Sequence, residues 1–147
     1  MKLSTRTRYG TRALLELALH GGKGPVFLKD IAKEQQISLA YLEHLVTPLI
    51  AGGIIRSVKG PKGGISLARK PEDIKLSEIT RLLEGSLAPV ECIEHPDICE
   101  RADSCVTREI WGEMKAAMDG VLESVTLKDL ADRQKKKGNS KKSMYYI

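Results

Sequence analysis

Between Leu28 and Leu67 the spacing of the apolar residues changes character, and no other stretch restricts the possible folds as strongly. Leu28 to Gln35 reads as a short helix with Ile31 and Ala32 inward, and Ile37 occupies a tight turn before Ser38. Ser38 suits an N-cap, since its hydroxyl can accept from a first-turn amide. The helix it opens carries Leu39, Leu42, Leu45 and Val46 on its buried face. From Ile54 to Leu67 two apolar-rich runs flank the basic turn Lys59-Gly-Pro-Lys-Gly-Gly64, which predicts two strands. A helix pair followed by a hairpin is a helix-turn-helix with a wing. Gly60, Gly63 and Gly64 let the turn approach a phosphate closely, and Lys59 and Lys62 supply charge.

The remaining segments frame this unit. Ser4 to Gly21 places Tyr9, Ala13, Leu14, Leu17 and Ala18 at helical spacing, and Pro71 to Glu84 predicts a further helix ended by Gly85. From Val106 a long amphipathic helix is expected, with Ile110, Met114, Ala117, Val121 and Val125 along a wide stripe that calls for a partner. The fold class is therefore mainly α with a small β-wing. Residues 1–85 form a winged helix-turn-helix domain, 86–105 a cysteine-rich loop, 106–134 a dimerisation helix and 135–147 a basic tail without fixed structure. Pro48 falls within the apolar period of the second helix of the pair and is expected to kink or break it. The exposed Ala40, Tyr41, Glu43 and His44 then face the groove.

Charge divides the chain in the same way. Residues 1–70 carry 12 Lys/Arg against 4 Asp/Glu, a net +8, whereas residues 71–104 carry 3 against 9, a net −6. A basic block suits a polyanion, and the low aromatic content argues for duplex DNA over a single strand stacked on rings. No apolar run approaches membrane-spanning length, and the opening MKLSTRTRYG lacks the apolar core of a signal peptide. A cytoplasmic protein with reduced thiols is expected.

All three cysteines, Cys92, Cys99 and Cys105, fall within 14 residues of the acidic region. Closely spaced thiols in a reducing compartment serve more often as soft metal ligands than as a staple. Structural zinc through Cys92, His95, Cys99 and Cys105 is an alternative, but zinc usually takes a Cys-x2-Cys knuckle and none is present. An enzyme with a nucleophilic cysteine needs a positioned base and an oxyanion site, for which no motif exists here.

Together MKLSTRTRYGTRALLELA, ISLAYLEHLVTPLIAGGIIRSVKGPKGGISLAR and CIEHPDICERADSCVTREIW resemble the IscR-type iron-sulfur cluster regulators, a branch of a larger family of bacterial winged-helix transcription factors. The resemblance covers about residues 1 to 130. It implies a homodimer on operator DNA that represses cluster-biogenesis genes, with a 2Fe-2S cluster on Cys92, Cys99 and Cys105. Such a cluster needs a fourth ligand. Arg108 stands where Escherichia-type members have a ligating His, and Arg8 where nitric-oxide-sensing relatives have an Asp. The fourth ligand is open among His95, Glu109, Glu94, Asp97 and Thr107 or an exogenous group. The resemblance also assigns Ser38, Tyr41, Glu43 and His44 to the recognition helix and Lys59, Gly60 and Pro61 to the wing. Glu43 in that family limits which operators the cluster-free protein accepts. Sister regulators of cysteine metabolism generally lack such a three-cysteine loop.

Overall fold

The structure is a computed structural model describing residues 2–145, with side chains described to Gly138. The first helix, α1 (Thr5–His20), starts where Ser4 Oγ accepts the Thr7 N–H and stops at Gly21, whose φ of +68° no β-carbon opposes. It buries Ala13, Leu14, Leu17 and Ala18. Helix α2 (Leu28–Gln35) ends at Gln36 with φ +57°, an unusual conformation for a residue other than glycine, and Ile37 N–H closes the turn onto Ala32 C=O at 3.0 Å. Helix α3 (Leu39–Ala51) follows at once from its Ser38 cap.

Pro48 does not end α3, contrary to the sequence expectation. The ring removes one amide donor, yet Leu45, Val46 and Leu49 are buried on either side of it, and the helix runs on to Ala51. Burial of each such side chain is worth about 1.5–3 kcal/mol. Together they outweigh the roughly 3 kcal/mol that an interior proline costs.

The hairpin is as expected. Strand β1 (Ile55–Val58) pairs antiparallel with β2 (Gly64–Leu67), with Arg56 opposite Ser66. Val26 adds a one-residue third strand by exchanging hydrogen bonds with Ile65 at 2.8 and 2.9 Å. Gly64 permits that approach, since a β-carbon there would stand 2.2 Å from Val26 O.

Two helices expected to be continuous are divided. Pro71 to Glu84 is a 3-10 turn at Pro71–Asp73 followed by α4 (Leu76–Leu83). The long C-terminal helix is α5 (Val106–Ser124) and then α6 (Leu127–Tyr145). Both divisions have one cause. Lys75 and Thr126 lie side by side as an isolated antiparallel bridge, with Leu76 N–H on Val125 C=O at 2.9 Å and Leu127 N–H on Ile74 C=O at 2.8 Å. These extended residues cannot also be helical. Thr126 and Asp129 then bond each other's amides through their side chains, a capping box that opens α6.

Helix α6 returns to α1 and places Leu127 and Ala131 in the core with Leu14, Ile31, Leu42, Leu45, Leu49, Ile54, Ile65, Ile74 and Ile79. The hydrophobic core therefore includes residues beyond 85. The tail expected to lack structure continues α6 through residue 145, and residues 146–147 lie outside the described residues.

Candidate DNA-binding surface and cysteine loop

Burial of Leu42, Leu45, Val46 and Leu49 turns the opposite side of α3 outward, exposing Ser38, Leu39, Ala40, Glu43, His44 and Thr47. Ser38 Oγ accepts the Tyr41 N–H at 3.1 Å, so its hydroxyl is engaged as a cap. Tyr41 differs from expectation. It is half-buried, its hydroxyl lies 3.1 Å from Thr5 Oγ1, and its ring meets Tyr9 edge-on at 6.3 Å, beneath the Arg12 guanidinium that sits 5.3 Å from the Tyr9 centroid. Tyr41 thus joins the first turns of α3 and α1, while Glu43 and His44 stand free on the surface.

The wing tip closes by Gly63 N–H to Gly60 C=O at 2.9 Å, with Gly60 at φ +107°. A β-carbon at Gly63 would meet Val58 O at 2.2 Å, so that glycine is required. Lys59, Gly60, Pro61 and Lys62 are exposed, and Arg56 extends the cationic surface along β1. Arg56 follows the buried Ile55 in β1, and the period-2 rule for strands would have turned it outward in the sequence.

Behind these elements the start of α1 is fastened to the end of α4. The Glu84 carboxylate accepts from Ser4 N–H, Ser4 Oγ and Thr7 Oγ1, and these bonds hold its carboxyl below the ordinary Glu range. The cysteine loop leaves from this anchor. It is built of short 3-10 turns, Glu91–Ile93 and Pro96–Ile98, and reaches α5 at its N-cap, Cys105. Cys92 and Cys105 are half-buried, and Cys99 is exposed. Thr107 Oγ1 lies 3.2 Å from Cys105 Sγ, and this contact together with the Arg108 amide in the first turn of α5 lowers the thiol below its usual value. Arg108 donates through Nε to Cys92 C=O at 3.0 Å and through Nη1 to Ala102 C=O at 3.5 Å.

By donor type, three thiolates suit an iron-sulfur centre. By arrangement they do not fit, since no three Cys, His, Asp or Glu side chains among the described residues converge to hold a metal ion. His95 and Glu109, the fourth-ligand candidates, are exposed, as are Glu94, Asp97 and Thr107. No helix among the described residues is long and apolar enough to cross a membrane.

The sequence model of the Rrf2 family, described as iron-dependent transcriptional regulators, matches residues 3–133. The protein rrf2 of Nitratidesulfovibrio vulgaris is 50% identical over 130 residues, 88% of this chain and 87% of that protein. Two solved structures share the fold. CymR, the global cysteine regulator of B. subtilis, superposes with a TM-score of 0.77 at 41% identity over 90% of this chain and 98% of its own. T. potens IscR superposes with a TM-score of 0.75 at 40% identity over 91% and 88%. A helix-turn-helix, a glycine-shaped basic wing and these likenesses lead to one conclusion: the chain belongs to the Rrf2 family of DNA-binding transcriptional regulators, a class without enzymatic activity.

Proposed function

We propose that this chain is a cytoplasmic regulator that binds operator DNA as a homodimer, through α3 and the wing, and takes its signal through the cysteine loop. The observation that carries the reading is the position of α5. It buries none of its residues within its own protomer and shows Val106, Ile110 and Val121 to solvent, while the loop joins it to the DNA-binding domain. An apolar face of this kind is covered by a second copy in a symmetric dimer. Sedimentation together with operator titration tests this: a monomer that binds operator DNA at full affinity would sink it.

The finer reading is a 2Fe-2S cluster on Cys92, Cys99 and Cys105 that governs repression of cluster-biogenesis genes. Support comes from the donor type and from the likeness to T. potens IscR. The thiols must be drawn together for such a centre to form. Anaerobic purification with iron and sulfide assay and visible spectroscopy is the test. Brown protein whose colour is lost in Cys92→Ala, Cys99→Ala or Cys105→Ala supports it, and a colourless protein without iron excludes it.

A thiol-responsive, cluster-free regulator is the second reading, favoured by the acidified Cys105 thiol and by the likeness to a cysteine regulator. It requires that alkylation of Cys105 alter operator affinity in metal-free protein. Unchanged affinity after full alkylation rejects it.

A further inference from the structure

Helix α5 is tied to its own protomer at its C-terminal end. There the backbone is pinned, because Leu76 N–H on Val125 C=O and Leu127 N–H on Ile74 C=O lie beside Ile74 and Leu127, both fully buried. In the last turn before that pin, the Glu123 carboxylate accepts from Lys75 Nζ at 2.5 Å and from Ser77 Oγ at 2.6 Å. Those two bonds hold the carboxyl below the ordinary Glu range, so the group is charged at neutral pH. Lys75 precedes α4 and Ser77 lies in its first turn, so one side chain of α5 grips the start of the helix that carries Ile79 and Leu83 into the core. Beyond this grip a groove of about 590 Å³ runs between α4 and α5, lined among others by Thr80, Arg81, Glu94, Lys115 and Asp119. Met114, Met118 and Leu122 are only half-buried, and methionine side chains adapt readily to a change of neighbour.

We propose that Glu123 is a positioning residue for DNA recognition: its grip on Lys75 and Ser77 fixes the direction of α5 against the recognition helix and so sets which half-site spacing the dimer accepts. This deepens the homodimer reading and rests on it. The backbone pin at Val125 and Leu127 serves as the pivot, since it holds the end of α5 in place but leaves the direction of the helix to side chains. The magnitude follows from the length of the lever. At 1.5 Å per residue the 19 residues of α5 span about 28 Å, so a swing of roughly 10° at the base carries the far end about 5 Å. One base pair of spacing is about 3.4 Å along the duplex and roughly a tenth of a helical turn. A small angular freedom at Glu123 therefore covers a whole step of spacing.

The experiment uses the full-length chain as wild type, Glu123→Ala, Lys75→Ala and the charge exchange Lys75→Glu with Glu123→Lys. Each is given a random-sequence duplex pool at one salt concentration, and the recovered sequences are sorted by the spacing of their inverted half-sites. Affinity is then measured for the best spacing and for duplexes one base pair longer and shorter, with sedimentation of each protein alone and on DNA and a thermal midpoint. Wild type is expected to favour one spacing. Glu123→Ala and Lys75→Ala should each lower that preference about fivefold, the scale of one exposed ion pair broken in each protomer, with half-site sequence, dimer and midpoint little changed. The charge exchange should restore it. Spacing is a readout that a merely stabilising contact does not move. Equal preference in wild type and both single variants overturns the grip, as does a loss of affinity that is the same at every spacing. If Glu123→Ala fails to dimerise, Lys75→Ala decides, since that residue lies off α5. Wild type that sediments as a monomer on DNA overturns the homodimer reading and this inference with it, whereas a dimer indifferent to the variants overturns this inference alone.

Discussion

Gln36 holds the sharpest local compromise in the chain. It stands in the left-handed region at φ +57° so that α2 can stop and α3 can start with only three residues between them, and its side chain is exposed. A non-glycine residue there costs roughly 1–2 kcal/mol. Gln36→Gly should therefore raise stability by about 1 kcal/mol after the added freedom of the unfolded chain, read as a higher denaturation midpoint at unchanged slope. Glu84 gives a second test at this scale. Its folded-state carboxyl titrates below the ordinary value, because Thr7 and Ser4 bond the charged form. The contribution is complete above about pH 4.3, the ordinary Glu value, and is lost as the pH falls through the lower folded-state value. Glu84→Gln should cost about 1 kcal/mol at pH 7, and its stability curve should converge on wild type in acid. Neither feature shows in the sequence. Gln36 looks like any polar residue of a turn, and Glu84 meets its partners across nearly eighty residues.

At the scale of elements, what was legible followed from local chemistry. Ser4 and Ser38 cap α1 and α3, Gly21 ends α1, and Gly63 and Gly64 of the wing sit where a β-carbon would strike backbone. What failed was non-local. The pairing of Lys75 with Thr126 divides two helices that periodicity runs together, and only the Thr126-Asp129 box hints at it in sequence. Tyr41 likewise reads in the sequence as an outward residue of α3, yet its contacts lie on α1. The candidate site was legible as chemistry, three thiols and a basic wing, but not as geometry. Helix α5 turns Val106, Ile110 and Val121 outward, whereas Met114, Met118 and Leu122 are half-buried. Ile110→Glu with Val121→Glu should thus give monomers by sedimentation with operator affinity reduced at least about tenfold, since each half-site must then bind alone. In the wing, Lys59→Ala and Lys62→Ala should each lower the slope of log affinity against log salt by about 1 on any duplex. A slope unchanged in both variants would remove the wing tip from the phosphate contacts.

The whole molecule is closed by its last helix. Leu127 is fully buried and Ala131 nearly so, in the same core as α1 to α4. Leu127→Ala should cost about 3 kcal/mol and lower the thermal midpoint by roughly 10 °C, although the residue belongs to neither α3 nor the wing. An unchanged midpoint would show that α6 is dispensable to the core. This closure bears on how the protein is made. A domain whose first helix packs on its final one cannot complete that core until Leu127 and Ala131 have been synthesised. The cysteine segment emerges before that seal, on a nascent chain still open to solvent and to whatever reacts with thiols. A fragment released early, by stalling or proteolysis before Leu127, carries a complete helix-turn-helix and wing but an unroofed core. Such a fragment should be cut by protease much faster than the complete chain, and equal resistance of a chain ending before Leu127 would show that the roof is not needed.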